Sequence, residues 1–514
     1  MPPSTDQRTR GARALIMGAV FVCAACGLVY ELALVALGSY LLGSTITQAS
    51  IVLSVMVFAM GVGALISKRL TSRAAVNFAV IELLLALLGG TSVVVLYAAF
   101  AWLSMYQPML VVLAFVLGLL IGAEIPLLMT LLQRIRAQDA TSAVADLFAA
   151  DYVGALLGGL AFPFVLLPWF GLLRGTLLVG AINAVVGVVV CAVVFRDELG
   201  RAARAGLASG LVAVLAVLGG LGFYATQFEL SAQQQIYRDP IALTKRSAYQ
   251  DIVLTRSLDG QDVRLFLNGD LQFSTLDEYR YHEALVTPAM NGPRGRVLVL
   301  GGGDGLAAAR ILKYPGVQQV TLVDLDPAVV QLARTEPDFL RHNDDAMNDR
   351  RMKYIAADAF TWLRGQRDVF DVIVVDFPDP DDVATAKLYS TEIYGLMRRA
   401  LAPGGRMVVQ SGSPYFSPKA FWTIESTLKA SGLTSVPYHV DVPSFGDWGF
   451  HLAQVGTPPQ LRVPADAPTG KFIDEAVLQA ARAFPPDRAR RPMPPSTLLH
   501  PRILDAVKGS YRGY

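Results

Sequence analysis

Asp376 and Asp379 stand three positions apart in Asp376-Phe377-Pro378-Asp379-Pro380, directly after the apolar run Val372–Val375. Two carboxylates on a proline-stiffened loop leaving a buried strand make a rigid anionic pocket, able to hold an ammonium and to take a proton from it. An amine must be neutral to attack, so one carboxylate serves as base while others anchor the distal charge. An Asp-Pro turn would account for Asp379 taken alone, but not for the residues around it. Gly301-Gly302-Gly303-Asp304-Gly305 follows Val297–Leu300, and a glycine-rich turn between strand and helix lets backbone N–H groups approach a ligand closely. The aspartate inside that turn argues against a pyrophosphate and for hydroxyls or cationic nitrogen. Tyr281-His282-Glu283 lies upstream, and Asp324 ends the next apolar run, where a carboxylate accepts hydrogen bonds from ribose hydroxyls. A helix cap beside Asp326 and Pro327 is the structural alternative for Asp324. Asp358, in Ala356-Ala357-Asp358-Ala359, is expected to face an adenine amine. The set reads as group transfer from a sulfonium nucleoside to an amine.

Elements that would position these residues alternate from about residue 295. Val297–Leu300, Val320–Val323, Met352–Ile355, Val372–Val375 and Arg406–Gln410 are the strand-like runs. Helical stretches such as Pro327–Arg334 and Glu392–Leu401 lie between them, the latter ended by Pro403-Gly404-Gly405. This alternation predicts a parallel sheet with helices on both faces, whose ligands bind at the carboxyl ends of the strands. Residues 227–290 read as short strands with an Asn268-Gly269 turn, a small β domain. The catalytic segment is expected over 291–460, and 461–514 reads as a solvated tail in which Lys471–Ala483 forms a short amphipathic helix.

The first 226 residues are different. The chain of 514 residues is 53% hydrophobic and 17% charged, and the apolar excess is concentrated there. Apolar stretches at about 14–37, 47–67, 76–99, 108–132, 147–168, 174–195 and 206–226 are each long enough to cross a bilayer core. The fifth and sixth are joined by a turn around Gly171. The fold class is therefore an all-α transmembrane bundle (1–226) followed by an α/β half. Lys and Arg cluster before the first span (Arg8, Arg10, Arg13) and after the second, fourth (Arg134, Arg136) and sixth, while the loops near Ser44 and Tyr106 carry none. The positive-inside rule puts the N-terminus in the cytoplasm and, with seven spans, the C-terminal half outside. Glu31, Glu82, Glu124, Asp146 and Asp151 fall in or at the ends of spans, as pathway-lining or paired carboxylates. Cys23 and Cys26 have C-x-x-C spacing but read as small residues on one face of a membrane helix, and no Cys/His cluster has metal-ligand spacing. A net charge of +2 gives no case for nucleic acid.

Across about residues 240–455 the chain resembles the polyamine aminopropyltransferases, the spermidine synthase family. The resemblance rests on Ser247-Ala248-Tyr249-Gln250, Leu267-Asn268-Gly269 with Gln272, Asp277-Glu278 with Tyr281-His282-Glu283, Gly301–Gly305 and Asp376–Pro380. It implies a Rossmann-like, methyltransferase-like catalytic domain. It also implies transfer of an aminopropyl group from decarboxylated S-adenosylmethionine, a co-substrate, to a diamine such as putrescine, with no metal or other cofactor. By position, Gln250, Asp324, Asp358 and Ala359 would bind the nucleoside. His282, Asp304 and Asp379 would hold the amine, Tyr249 would line the cleft, and Asp376 would accept the proton. A homodimer is implied as well, and so is a cytosolic co-substrate, which places the catalytic half in the cytoplasm against the charge pattern. The sequence departs from the family at Asn268 and Asp324, where Asp and Glu are usual, and at Ala359, where Gly is common. In Pro443-Ser444-Phe445-Gly446-Asp447-Trp448-Gly449, Phe445 falls near the position of a family tyrosine. Two other readings compete: a methyltransferase using S-adenosylmethionine, and a transporter or sensor whose soluble half only binds polyamine.

Overall fold

A computed structural model describes residues 5–42, 45–135, 140–196 and 199–508. Ser44 and Arg136 lie outside the described residues, as do the side chains of Arg8, Arg10, Arg13 and Arg134. The chain forms two compact units, Met1–Arg238 and Asp239–Tyr514.

The first unit is helical: α1 (Thr5–Leu42), α2 (Thr45–Ser67), α3 (Ala74–Ala101), α4 (Tyr106–Ile135), α5 (Ala140–Ala161), α6 (Leu167–Val194), α7 (Arg201–Phe223) and α8 (Ala225–Ile236). Among the described residues, six helical runs are long and apolar enough to cross a membrane. One of them, Val144–Val194, has 51 residues, about 77 Å of helix against a bilayer core of about 30 Å. It is broken at Gly171 (φ 72°, ψ 178°), so the expected fifth and sixth segments are the two arms of this run. Glycines let helices touch backbone to backbone: a Cβ on Gly63 would lie 1.9 Å from the Leu119 carbonyl oxygen, and one on Gly154 2.1 Å from that of Phe21. Cys23, Cys26 and Cys191 are buried free thiols. Residues 227–236, expected to open the β domain, lie in α8 instead, and the break between units falls after Arg238.

The second unit begins with a four-stranded antiparallel sheet in sequence order: β1 (Ile241–Arg246), β2 (Asp251–Arg256), β3 (Val263–Leu267) and β4 (Asp270–Ser274). Asn268 takes φ 52° in the β3–β4 turn and accepts the Asp251 N–H on its side-chain oxygen, a conformation asparagine tolerates better than most residues. There follow α9 (Glu278–Val286), β5 (Arg296–Gly301), α10 (Leu306–Leu312), β6 (Gln319–Asp324), α11 (Pro327–Thr335), α12 (Pro337–His342), β7 (Met352–Ala356), α13 (Ala359–Gly365), β8 (Phe370–Asp376), α14 (Val383–Ala386), α15 (Thr391–Ala400), β9 (Leu401–Gln410), α16 (Pro418–Ala430), β10 (Thr434–Val442), β11 (Gly446–Gln454), α17 (Glu475–Ala480) and α18 (Arg502–Val507). The second sheet has seven strands in the order β10-β11-β9-β8-β5-β6-β7. Strands β5 to β9 are mutually parallel, and the β10–β11 hairpin adds antiparallel to β9. Val297–Leu300 are wholly buried, as are Val372–Val375, as a sheet covered on both faces requires.

Two expectations need correction. Leu401 is strand rather than helix: it pairs with Phe370 while Arg406 pairs with Val372, so Ala402 to Gly405 bulge out. The segment after 461 is no solvated appendage either. Leu461, Ile473, Leu478 and Ile503 sit in the domain's cores, and the carboxylate of buried Glu283 accepts the N–H groups of Lys471, Phe472 and Ile473 at 2.9–3.0 Å. Only six residues of the expected helix, Glu475–Ala480, are helical.

Candidate active site

Strand order reverses between β5 and β8, which leave the centre of the sheet in opposite directions. That switch point opens a crevice at their carboxyl ends. Gly301 and Asp376 are register partners there. Gly301, Gly302 and Gly305 all have positive φ. A Cβ on Gly301 would lie 2.2 Å from the Asp376 carbonyl oxygen, and one on Gly303 2.8 Å from Asp324 Oδ2. The turn is glycine-rich because it threads between two strand ends.

Each carboxylate has a defined seat. Asp324 Oδ2 accepts the Gly303 N–H at 3.0 Å and Oδ1 that of Asp326 at 2.9 Å. Asp326, not Asp324, caps α11, accepting from Ala328 N. Gln250 Nε2 and the Ser247 hydroxyl both donate to Asp326 Oδ2 (2.9 and 2.7 Å), docking the 247–250 loop beside Asp324. Tyr249 in that loop is 53% exposed. Asp304 Oδ1 accepts the Leu306 N–H at 2.8 Å where α10 begins. Asp376 Oδ1 accepts from the Tyr281 hydroxyl at 2.5 Å. Asp379 Oδ1 accepts from Gln410 Nε2 at 3.2 Å. Asp358 is engaged elsewhere: Oδ1 caps α13 through the Thr361 N–H, and Oδ2 pairs with Lys387 Nζ at 2.7 Å. A carboxylate offers about four acceptor sites, so capacity remains for a ligand. Ala359, the first residue of α13, is buried.

His282 Nδ1 lies 2.9 Å from the Glu278 carbonyl oxygen and 3.0 Å from Glu278 Oε2. Both are acceptors, so Nδ1 carries the proton and Nε2 is the free ring nitrogen. Burial pulls the His282 pKa down, but Glu278, Asp304 and Asp376 together raise it above the ordinary value. Burial holds Asp304, Asp324 and Asp379 up at about 6. For Asp379, Gln410 acts against burial, while Asp381 and Asp270 add to it. Asp376 is also raised by burial, against the pull of His282 and the Tyr281 hydrogen bond. The site is thus a dense, desolvated acidic cluster facing one imidazole, an arrangement suited to a cationic ligand.

Sequence reasoning gave no role to several residues that hold this cluster. Tyr281 on α9 packs against Phe445 and Phe450 with ring centroids 5.9 and 5.4 Å apart. Asp277, at the head of α9, accepts from the Ser444 N–H and hydroxyl, fixing the turn that carries Phe445. Gln410 also donates to the Phe377 carbonyl at 2.6 Å and to the Tyr389 hydroxyl at 2.8 Å. Tyr389 donates to the Pro378 carbonyl at 3.0 Å, so the Asp376–Pro380 loop is pinned from two sides. A polar Gln ending an otherwise apolar strand was the available signal. A basic depression lined by Arg296, Arg350, Arg351 and Lys353 lies at the amino ends of β5 to β7, away from the switch point.

Comparison with known proteins gives the family. Residues 278–462 match the spermine/spermidine synthase domain. Polyamine aminopropyltransferase 1 of Streptomyces coelicolor is 56% identical over 516 residues, covering 100% of this chain and 97% of that protein. The polyamine aminopropyltransferase of Mycobacterium tuberculosis is 46% identical over 507 residues, with 96% of each covered. A crystal structure of spermidine synthase in complex with the transition state analogue AdoDATO is 24% identical, covers 48% of this chain and 85% of that one, and superposes with a TM-score of 0.44. The whole-length match to the curated relatives makes the chain a member of the polyamine aminopropyltransferase family, and so an aminopropyl-transferring enzyme.

Proposed function

We propose that the protein transfers the aminopropyl group of decarboxylated S-adenosylmethionine to a diamine, putrescine first, releasing methylthioadenosine. The amine nitrogen's lone pair attacks the propyl carbon bonded to the sulfonium, and the C–S bond breaks. Its electron pair returns to sulfur, giving the neutral thioether. The new C–N bond leaves a proton to be lost from nitrogen, and Asp376 takes it. The observation that carries this reading is the seat of Asp376 at the switch point. Oδ1 is held by Tyr281, while Oδ2 faces the glycine turn, 3.2 Å from where a Cβ on Gly302 would stand. A carboxylate raised by burial is a better proton acceptor than an ordinary one. Asp304 and Asp379 would hold the ammonium groups, and His282, once it has given up its second proton, would offer Nε2 as a further acceptor. Asp324, Gln250, Asp358 and Ala359 would take the thioadenosine, with Tyr249 at the mouth. The sulfonium is already electrophilic, so positioning and one proton transfer suffice.

The helical unit supports a multi-pass membrane location; the cytoplasmic side for the catalytic unit rests on where such a co-substrate would be met, against the charge pattern. The helical unit's exposed residues include Val57, Phe58, Phe164, Trp169 and Phe223, and helices apolar on every face are at home in lipid. A homodimer rests on the family resemblance alone. Incubating the purified full-length chain with decarboxylated S-adenosylmethionine and putrescine, followed by mass spectrometry, tests the reading. Spermidine and methylthioadenosine in equal amounts are expected. Transfer only to a longer amine would reassign the acceptor, and no transfer to any amine would refute the mechanism.

A further inference from the structure

Two carboxylates lie deep in the helical unit with no cation beside them. Glu82 on α3 is fully buried and Glu124 on α4 nearly so, and among the described residues neither forms an ion pair with Lys, Arg or His. Cys23 Sγ on α1 and one oxygen of each carboxylate lie within 4.8 Å of one another. Asn183 on α6 donates Nδ2 to Glu82 Oε2 at 2.8 Å, which leaves Glu82 Oε1 and Asn183 Oδ1 buried and unpartnered. The Tyr30 hydroxyl is fully buried and unpartnered too, and its electrostatic neighbours are Cys23, Cys26, Glu82 and Glu124. Close helix contacts make room for the group. A Cβ on Gly187 would sit 2.3 Å from the Glu82 Cβ, and one on Gly89 2.7 Å from the Tyr30 ring. Buried polar groups normally find partners, and carboxylates inside a membrane bundle mark functional sites. Here α1, α3, α4 and α6 converge on a buried polar group in which Glu82 Oε1, Asn183 Oδ1 and the Tyr30 hydroxyl have no hydrogen-bond partner.

We propose that this cluster binds the primary ammonium of an aliphatic amine. An ammonium carries three donors and no acceptor. Glu82 Oε1 and Asn183 Oδ1 supply two unpartnered acceptors, an oxygen of Glu124 within the cluster supplies a third, and the single positive charge offsets one of the two carboxylates. A divalent metal would draw on Cys23 as a thiolate ligand, but most of the unmet groups are oxygen, including a carboxamide and a phenol that are weaker metal ligands. The identity of the ligand rests on the amine-transferring class of the enzyme; the unmatched acceptors do not depend on it.

Dicyclohexylcarbodiimide, which modifies carboxyl groups in apolar surroundings, tests this on the full-length chain in detergent, with peptide mass spectrometry reading Glu82 and Glu124. Putrescine should protect both residues from labelling. In Glu82→Gln, the putrescine concentration needed to protect Glu124 should rise about 10- to 100-fold, the loss of a charged hydrogen-bond partner. Labelling of the wild-type chain that putrescine leaves unchanged would overturn the inference, as would protection by Zn²⁺ alone. The wild-type measurement decides even if the variant fails to fold. Labelling does not read turnover, whereas failure of the transfer reading would show as missing methylthioadenosine, so the two cannot be confused.

Discussion

The Tyr281 hydroxyl donates to Asp376 Oδ1 at 2.5 Å, joining α9 to the end of β8 across the second unit. The hydrogen bond stabilises the carboxylate form and fixes which oxygen is left to work. Tyr281→Phe should therefore lower kcat about 10-fold. It should also move the acidic limb of the pH–rate profile upward, because one of the two influences lowering the Asp376 pKa is gone. Loss of rate with an unmoved limb would leave Tyr281 a merely structural role.

Asp376→Asn should reduce kcat by roughly 10²–10⁴-fold while thioadenosine binding persists. Near wild-type kcat at neutral pH would remove Asp376 as the base.

Asp379 couples function to stability. Its carboxyl titrates at about 6 in the fold against an ordinary 3.8. The folded form holds the proton more tightly than the unfolded chain, so its contribution is fully present below pH 4. That contribution is lost as pH rises through about 6. Asp379→Asn removes the buried charge and keeps an acceptor for Gln410. It should stabilise the protein by about 1–3 kcal/mol near pH 7.5, with the gain vanishing below pH 4, while the KM for the diamine rises. Thermal melts across that range, paired with kinetics, check both halves. Equal melting curves would mean the charge is better solvated than its surroundings indicate.

For the amine, kcat/KM should climb through about pH 6 as Asp304 and Asp379 ionise. It should climb further as His282, whose pKa lies above the ordinary value, gives up its proton and stops competing with the ammonium. A flat profile between pH 5 and 8 would contradict this.

The chain shortened to residues 239–514 should fold and retain transfer, since domains with separate cores can fold alone and this unit contains every proposed catalytic residue. A folded, methylthioadenosine-binding product without transfer would instead give the helical unit a part in the chemistry.

Strand ends were legible in the sequence because a buried parallel strand is a short apolar run that stops at glycine or aspartate. Asp304, Asp324 and Asp376 could thus be assigned to one edge. Gln410 and Tyr389 were not, since what they do depends on register between strands far apart in the chain. Gln250 was assigned to the nucleoside, yet its side chain meets Asp326, a pairing no spacing encodes. The tail after 461 looked solvated because prolines and charges dominate it; its few apolar residues, Ile473 and Leu478 among them, are the ones that pack. Cys23, Glu82 and Glu124 come together only through the crossing of three helices.

Glu283 also bears on the order in which the molecule is made. Its buried carboxylate meets its three backbone donors only after synthesis has passed Ile473. Chains fold from the N-terminus as they emerge, so the membrane helices and both sheets precede this clamp. It fastens α9, the helix bearing Tyr281 and His282. An unfinished chain therefore carries the glycine turn and Asp376 but lacks the fastening of their partner helix. The seat of α9 is thus completed only when Lys471, Phe472 and Ile473 have been made.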